Sequence, residues 1–284
     1  MNGFLKRKAQ IFVGWTYRMR EIKRRRNILK KNRINLFWAD RVLNLGDYLS
    51  VIIYEWICNY YHLDRNKSVS KRKQIMSTGS ILSYSSIDST VWGSGILNVK
   101  SIGVFLRISH GRKLDVRAVR GPITRQIVKG AGYECPKIYG DPAILMPLIY
   151  TGCPREIQYP ISLIMHYAKP EGELPKSLHQ IEIQTDNYEF FIDELLRSGK
   201  VISSSLHGII LAESYGIPAV YLNKDFGDEL KFWDWYMSTN RPYVQYATTL
   251  EEAITMEPMQ GIGAEYLKQM QMQLIEAFPV DLWE

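Results

Sequence analysis

From residue 34 onward, short runs of β-branched and other apolar residues alternate with longer stretches in which apolar positions recur every three or four residues. Runs of the first kind suit strands buried on both faces, and stretches of the second kind suit helices with one apolar face. Their alternation calls for helices packed on a mostly parallel sheet, so the fold class is α/β. Ile34 to Ala39 reads as the first strand, followed by the loop Asn44-Leu45-Gly46-Asp47 and a helix over Tyr48 to Tyr60. Further strands end at Thr78, near Trp92 and near Val104, and the first two run into Gly79-Ser80 and Gly93-Ser94-Gly95. Small residues at strand ends let a ligand approach the backbone, and in open α/β sheets that edge is where ligands bind.

In Val119-Arg120-Gly121-Pro122-Ile123-Thr124-Arg125 the proline stands where a first helical residue would, losing no hydrogen bond, and the helix it starts ends at Gly130 or Gly132. Tyr150 to Tyr159, with Gly152, Pro154 and polar neighbours, reads as a linker. A second series follows, with strands at Ile161 to Met165, Ile181 to Gln184, Lys200 to Ser203 and Ala219 to Leu222, and helices over Tyr188 to Arg197 and Gly208 to Tyr215. The expected organisation is two Rossmann-like domains, residues 34–155 and 156–284, with a ligand cleft between them.

Charge separates residues 1–33 from this body. The segment holds twelve Lys or Arg against the single acid Glu21, so +11 of charge sits there and the remaining 251 residues carry −4 of the overall +7. A mildly acidic body argues against nucleic acid as a partner, because folds that bind it carry a basic stripe on the folded surface. Phe12, Trp15, Met19 and Ile22 recur at helical spacing, flanked by Arg18, Arg20 and Lys23 to Arg26. An amphipathic helix lying on an anionic membrane surface fits this pattern; an arm packed on the acidic body and a solubilising tail are the alternatives. With 46% hydrophobic residues the chain can bury a sizeable core, which excludes disorder as its general state. Cys58, Cys135 and Cys153 stand far apart, suggesting neither a disulfide framework nor a zinc site and fitting a reducing compartment. No apolar run has the length of a spanning helix or signal peptide. The expected location is the cytoplasm, peripheral to the inner face of the plasma membrane.

The sharpest candidate chemistry lies in Ser203-Ser204-Ser205-Leu206-His207-Gly208, where a buried-type strand turns directly into an apolar helix. Such a helix start offers unpaired N–H groups and a positive dipole end to an anion, phosphate above all, and Gly208 permits close approach; alternatively the serines cap the helix and His207 is structural. Arg120 stands at the corresponding edge of the other half, where a guanidinium could fork onto a carboxylate or phosphate. His166 closes the first strand of the second half. Ser80 and Ser94 lie in the strand-end loops of the first half. Asn44 and Asp47 either line the cleft or cap a helix, Asp141 in Gly140-Asp141-Pro142 reads as a turn residue, and Glu213 either binds a sugar hydroxyl or is solvated. No metal-ligand cluster is apparent, and no metal or other cofactor is called for.

Taken in order, the segments N-L-G-D (44–47), V-W-G-S-G (91–95), V-R-G-P-x-T-R (119–125), Y-G-D-P-A (139–143), M-H-Y (165–167), S-S-S-L-H-G (203–208), E-S-Y-G-I-P (213–218) and K-F-W-D-W-Y (231–236) resemble the polysaccharide pyruvyl transferase family over about residues 34 to 240. The resemblance implies a two-domain fold like the GT-B glycosyltransferases, phosphoenolpyruvate as donor, and galactose or another hexose of a lipid-linked saccharide as acceptor. It carries the family's donor-site arginine onto Arg120 and its R-L-H triplet onto Ser205-Leu206-His207, with Ser205 standing where the triplet has arginine. Arg125 and Lys231 are the candidates to supply that missing charge, Asp234 shares the segment of Lys231, and His110 is the candidate for a further family histidine.

Phosphoenolpyruvate carries a carboxylate and a phosphate on one small skeleton, so its site needs two anion pockets, which Arg120 and the start of the Gly208 helix would supply. Ketal formation needs a proton donor to the methylene carbon, and His207, then His166, are the histidines placed for it. Two rivals stay open: a GT-B glycosyltransferase using the Glu213-to-Pro218 segment for a nucleotide sugar, and a non-catalytic membrane-bound assembly protein.

Overall fold

In a computed structural model the described residues are 30, 32–70, 73–152, 156–166, 175, 178–223, 227, 229–241 and 243–284. The amphipathic helix expected over residues 1–33 lies outside them, save for the last few positions, as does Cys153. Two parallel sheets organise the chain. The first has the order β1-β2-β3-β4, from Ile34–Phe37, Lys73–Met76, Ser89–Trp92 and Leu114–Ala118. The second has the order β6-β5-β7-β8-β9, from Ser162–Ile164 (β5), His179–Gln180 (β6), Val201–Ser203 (β7), Ala219–Leu222 (β8) and Tyr246–Ala247 (β9). Every pairing among them is parallel, from Ile34 opposite Lys73 in the first sheet to Leu163 opposite Ile202 in the second. All strands of each sheet therefore end at one edge, and the glycine and serine loops follow those ends.

The helices are α1 (Leu45–Tyr60), α2 (Val99–Ser109), α3 (Pro122–Gly130), α4 (Met146–Ile149), α5 (Tyr188–Leu195), α6 (Leu206–Ser214), α7 (Glu229–Ser238), α8 (Leu250–Thr255) and α9 (Ala264–Glu276). Local chemistry explains where several begin. Asn44 caps α1 by accepting from Gly46 N at 2.9 Å, Asn98 caps α2 by accepting from Ser101 N at 3.0 Å, and Pro122 opens α3. Helix α6 is apolar all round and buried at Leu206 and at every position from Gly208 to Ser214, as expected of a helix enclosed on all sides.

Two expected strands are absent. The run near Val104 is helix α2: its apolar and β-branched content suggested a strand, but the asparagine cap and the burial of Phe105 and Ser109 four residues apart obey the helical period. Ile181 to Gln184 leaves the sheet just after β6, because Ile183 O is drawn to Leu45 N at 2.9 Å, at the start of α1. That bond ties the second half of the chain to the first. One apolar cluster does so more broadly, running from Leu45, Trp92 and Ile144 to Leu206, Ile209 and Trp235.

The chain's last segment returns to the first sheet. Trp92 Nε1 donates to Leu274 O at 2.8 Å, Lys73 Nζ to Leu282 O at 2.8 Å, and Trp283 Nε1 to Asp64 O at 3.0 Å. Phe278 stacks on Tyr61 and meets Trp92 edge-on with ring centres 5.0 Å apart, an arrangement that adds to simple area burial.

Candidate active site

The start of α1 and the start of α6, one from each half, meet face to face. A side chain at Gly46 would place its first carbon 2.0 Å from His207 Nδ1, so the imidazole lies on bare backbone and any larger residue would displace it. Each helix directs the positive end of its dipole into this junction. Gly79, in the loop after β2, adopts φ +96°, a region that favours glycine. The position its Cβ would take lies 3.6 Å from Asp47 Oδ1 and 3.7 Å from His207 Cε1. Asp47 and His207 thus border the same point beside the Gly79 backbone.

Asp141 supports this arrangement from below. Its Oδ2 accepts from Gly79 N at 3.1 Å and its Oδ1 from Ala143 N at 3.1 Å, joining two loops, while Oδ2 lies 3.7 Å from His207 Nε2. That ring nitrogen is buried without a hydrogen-bond partner among the described residues. Lys231, in the first turn of α7, is buried with its ammonium 5.4 Å from the centre of the Phe232 ring. The Asp47 carboxyl is held above the ordinary range, first by burial and then by the Asp141 charge, against the opposing pull of His207 and Lys231. The cluster therefore offers a carboxyl biased toward its protonated form, an imidazole and an ammonium, the chemical types needed to move protons and hold an anion.

The remaining expected site residues fall elsewhere or are engaged. Arg120 is fully buried: Nε donates to Asp234 Oδ2 at 3.1 Å, Nη1 to Ser80 Oγ at 2.5 Å and Nη2 to Ile96 O at 2.6 Å. Asp234 also accepts from Thr124 N at 2.9 Å and Thr124 Oγ1 at 2.6 Å. Arg125 turns to Cys135 O at 3.0 Å. Ser94 Oγ donates to Gly79 O at 2.8 Å, and Asn44 is the cap already described. Ser203 Oγ accepts from Ser205 N at 3.0 Å, and Ser204 Oγ accepts from His166 N at 2.9 Å, which ties the strand end carrying His166 to the turn that carries His207. Ser205 precedes α6 without a side-chain cap bond, Leu206 joins the apolar core, and Gly208 packs on Ser203 Oγ. His110 is exposed at the end of α2, just before β4 and so at the opposite edge of the first sheet. Glu213 is buried in a fork with Arg241, whose Nη2 donates to Oε2 at 2.8 Å, and it also accepts from Trp235 Nε1 at 3.0 Å.

Asp141 is the residue whose position sequence reasoning missed. Its Gly-Asp-Pro setting announces a turn, but nothing local shows that the turn lies under a histidine 66 residues later. Among the described residues no group of three or more His, Cys, Asp or Glu is placed to hold a metal ion.

The comparisons with known proteins bear on the identity of this site. A family model described as polysaccharide pyruvyl transferase matches residues 4–225, most of the chain and all of the junction except Lys231. This chain belongs to that family. The family's transferases put pyruvyl groups on polysaccharide, and Asp47, Asp141 and His207 lie within the matched residues. An uncharacterized protein of Acanthamoeba polyphaga mimivirus is 28% identical over 208 residues, covering 67% of this chain and 69% of its own. A crystal structure of a functionally uncharacterized protein from Klebsiella pneumoniae subsp. pneumoniae NTUH-K2044 aligns at a TM-score of 0.53 and 14% identity, covering 77% of this chain and 93% of its own. At that identity the likeness speaks to the α/β fold alone.

Proposed function

We propose that this member of the family is a ketal pyruvyltransferase that moves pyruvate from phosphoenolpyruvate onto two hydroxyls of a hexose, such as galactose, in a lipid-linked repeat unit of an exopolysaccharide or capsule. The observation that carries the reading is the family match over residues 4–225, joined to the meeting of Asp47 and His207 at two helix starts. No cofactor is needed: the donor brings its own activated enol, and the protein supplies charge complementarity and proton transfer. With Arg120 engaged by Asp234, the first-turn amides of α6 become the groups best placed for the donor's phosphate. The reading includes a GT-B-like division into 34–155 and 156–284, with residues 1–33 as a separate arm.

Phosphoenolpyruvate is expected to raise the melting temperature, by the equivalent of about 2.7 kcal/mol at one hundred times its dissociation constant. Nucleotide sugars are expected to leave it unchanged; a shift with a nucleotide sugar alone would replace this reading by a glycosyltransferase. The Glu213 carboxylate, on which such a rival site would rely, is already forked to Arg241. A cavity of about 500 Å³ does lie there, lined by Lys200, Glu213, Ile217, Pro218 and Met259. It opens at the strand starts, opposite His207, and its lysine is engaged by Ile254 O at 2.8 Å and Met256 O at 3.2 Å.

Among the described residues no helix is long and apolar enough to cross a membrane. The proposed route to a lipid-linked acceptor is residues 1–33, whose twelve basic residues would hold the enzyme at the inner face of the plasma membrane. Each Lys or Arg near an anionic leaflet contributes about 1 kcal/mol. The full chain is expected to co-sediment with anionic vesicles at low salt, and a variant lacking residues 1–33 is not. Equal binding of the two, or binding indifferent to lipid charge, would remove the arm from this role.

A further inference from the structure

We propose that Asp47 is the proton donor to the methylene carbon of the enolpyruvyl group and that His207 serves the departing phosphate, an assignment that rests on the pyruvyl-transfer reading. Three observations divide the work in this way. Asp47 Oδ1 and His207 Cε1 stand 3.6 and 3.7 Å from the vacant side-chain position of Gly79, so both groups border one point. Asp141, the other carboxyl beside His207, has both oxygens committed to the amides of Gly79 and Ala143, whereas the Asp47 carboxyl makes no hydrogen bond among the described residues. His207 lies in the first turn of α6, among the amides suited to phosphate, and Asp141 lies 3.7 Å from its Nε2. A neutral carboxyl can approach a carbon that must be protonated, and an imidazole among phosphate-binding amides can pass a proton to the leaving oxygen.

The steps balance. The Asp47 proton adds to the methylene carbon, the π electrons becoming the new C–H bond, and the central carbon takes the oxygen of the first sugar hydroxyl. That hydroxyl's proton returns to Asp47 and restores it. The bond from the central carbon to the phosphate oxygen then breaks, its electron pair leaving with phosphate, and the second hydroxyl closes the ketal while its proton passes through His207 to the phosphate. Two hydroxyl protons are lost, one gained by carbon and one by phosphate.

Protonation of Asp47 is governed by the groups that face it: His207 on α6, Asp141 before the turn at Pro142, and Lys231 on α7. Burial and Asp141 push its carboxyl up, so the folded state holds the proton over a window above the ordinary aspartate range, and stability falls as pH rises through that window. Replacing Asp47 by Asn removes the penalty.

The test compares the full chain with Asp47→Asn and Asp47→Glu, using phosphoenolpyruvate and a galactoside acceptor. Asp47→Asn is expected to lose about 10²- to 10⁴-fold in kcat with little change in KM for phosphoenolpyruvate, to lose the high-pH limb of the kcat profile, and to melt no lower than the native chain at neutral pH. Asp47→Glu should recover part of the rate and of that limb. An active native enzyme whose Asp47→Asn variant keeps its turnover and pH profile overturns the assignment alone. A variant that no longer gives a melting shift with phosphoenolpyruvate shows a binding role and overturns it too. A native chain that forms no pyruvylated product overturns the pyruvyl-transfer reading and the assignment with it.

Discussion

Replacing His207 by alanine is expected to lower turnover at saturating phosphoenolpyruvate by about 10²- to 10⁴-fold, the usual contribution of a positioned acid or base. The expectation rests on position more than on residue type. A histidine that merely filled space would have both ring nitrogens satisfied or solvated, yet His207 Nε2 is buried without a hydrogen-bond partner among the described residues, 3.7 Å from Asp141 Oδ2. Burying a polar nitrogen unpaired is costly, and such costs concentrate where a substrate group completes the pairing. Because the ring also covers Gly46, alanine leaves a gap between the two helix starts, and a rate loss could reflect collapse of the junction. His207→Gln separates the effects, since it keeps much of the volume and a hydrogen-bonding group but has no imidazole to carry a proton. Loss of rate in both variants, with melting temperature and the stabilisation by phosphoenolpyruvate retained in His207→Gln, identifies the imidazole as a proton carrier. A His207→Gln enzyme of near-normal kcat would show that the ring is packing.

What could be read from the sequence was the local part of this arrangement. A strand that ends in Gly79-Ser80, a helix that starts behind Pro122 and a buried strand that turns into His207-Gly208 all leave signatures within a few residues, so the α/β alternation and the strand-end loops were legible. Pairing across the fold was not. Arg120 and Glu213 looked available because their partners, Asp234 and Arg241, stand 114 and 28 residues away, and Asp141 looked like a turn residue because its histidine lies on another helix. The misread run at Val104 is an error of a different kind. Its apolar and β-branched residues mask the period, because only Phe105 and Ser109 are fully buried while Ile102, Val104 and Ile108 are half-buried and Val99 and Leu106 are exposed.

The largest stability effect is expected at Arg120. Its guanidinium and the Asp234 carboxylate are both fully buried, so removing one partner leaves an uncompensated charge, at about 3–5 kcal/mol. In domains of 150–250 residues each kcal/mol shifts the melting temperature by about 2–4 °C, so Arg120→Met and Asp234→Leu should each be plainly less stable than the native chain. The double variant should recover much of the loss, since apolar groups of similar volume often replace a buried pair at little net cost. Arg120→Lys decides between two roles for this residue. Lysine keeps the charge but not the planar fork that reaches Asp234, Ser80 and Ile96 together, so a positioning arginine predicts a lowered melting temperature and lowered kcat. The rate would fall because the pair fastens α7, which carries Lys231, to the loop that carries Gly79 and Ser80. A donor-binding arginine, held by Asp234 only until phosphoenolpyruvate arrives, predicts instead an unchanged melting temperature and a raised KM for phosphoenolpyruvate. The geometry favours the first outcome: Thr124 and Arg120 share Asp234 within 3.1 Å, and withdrawing the guanidinium would strand a buried carboxylate along with Ile96 O.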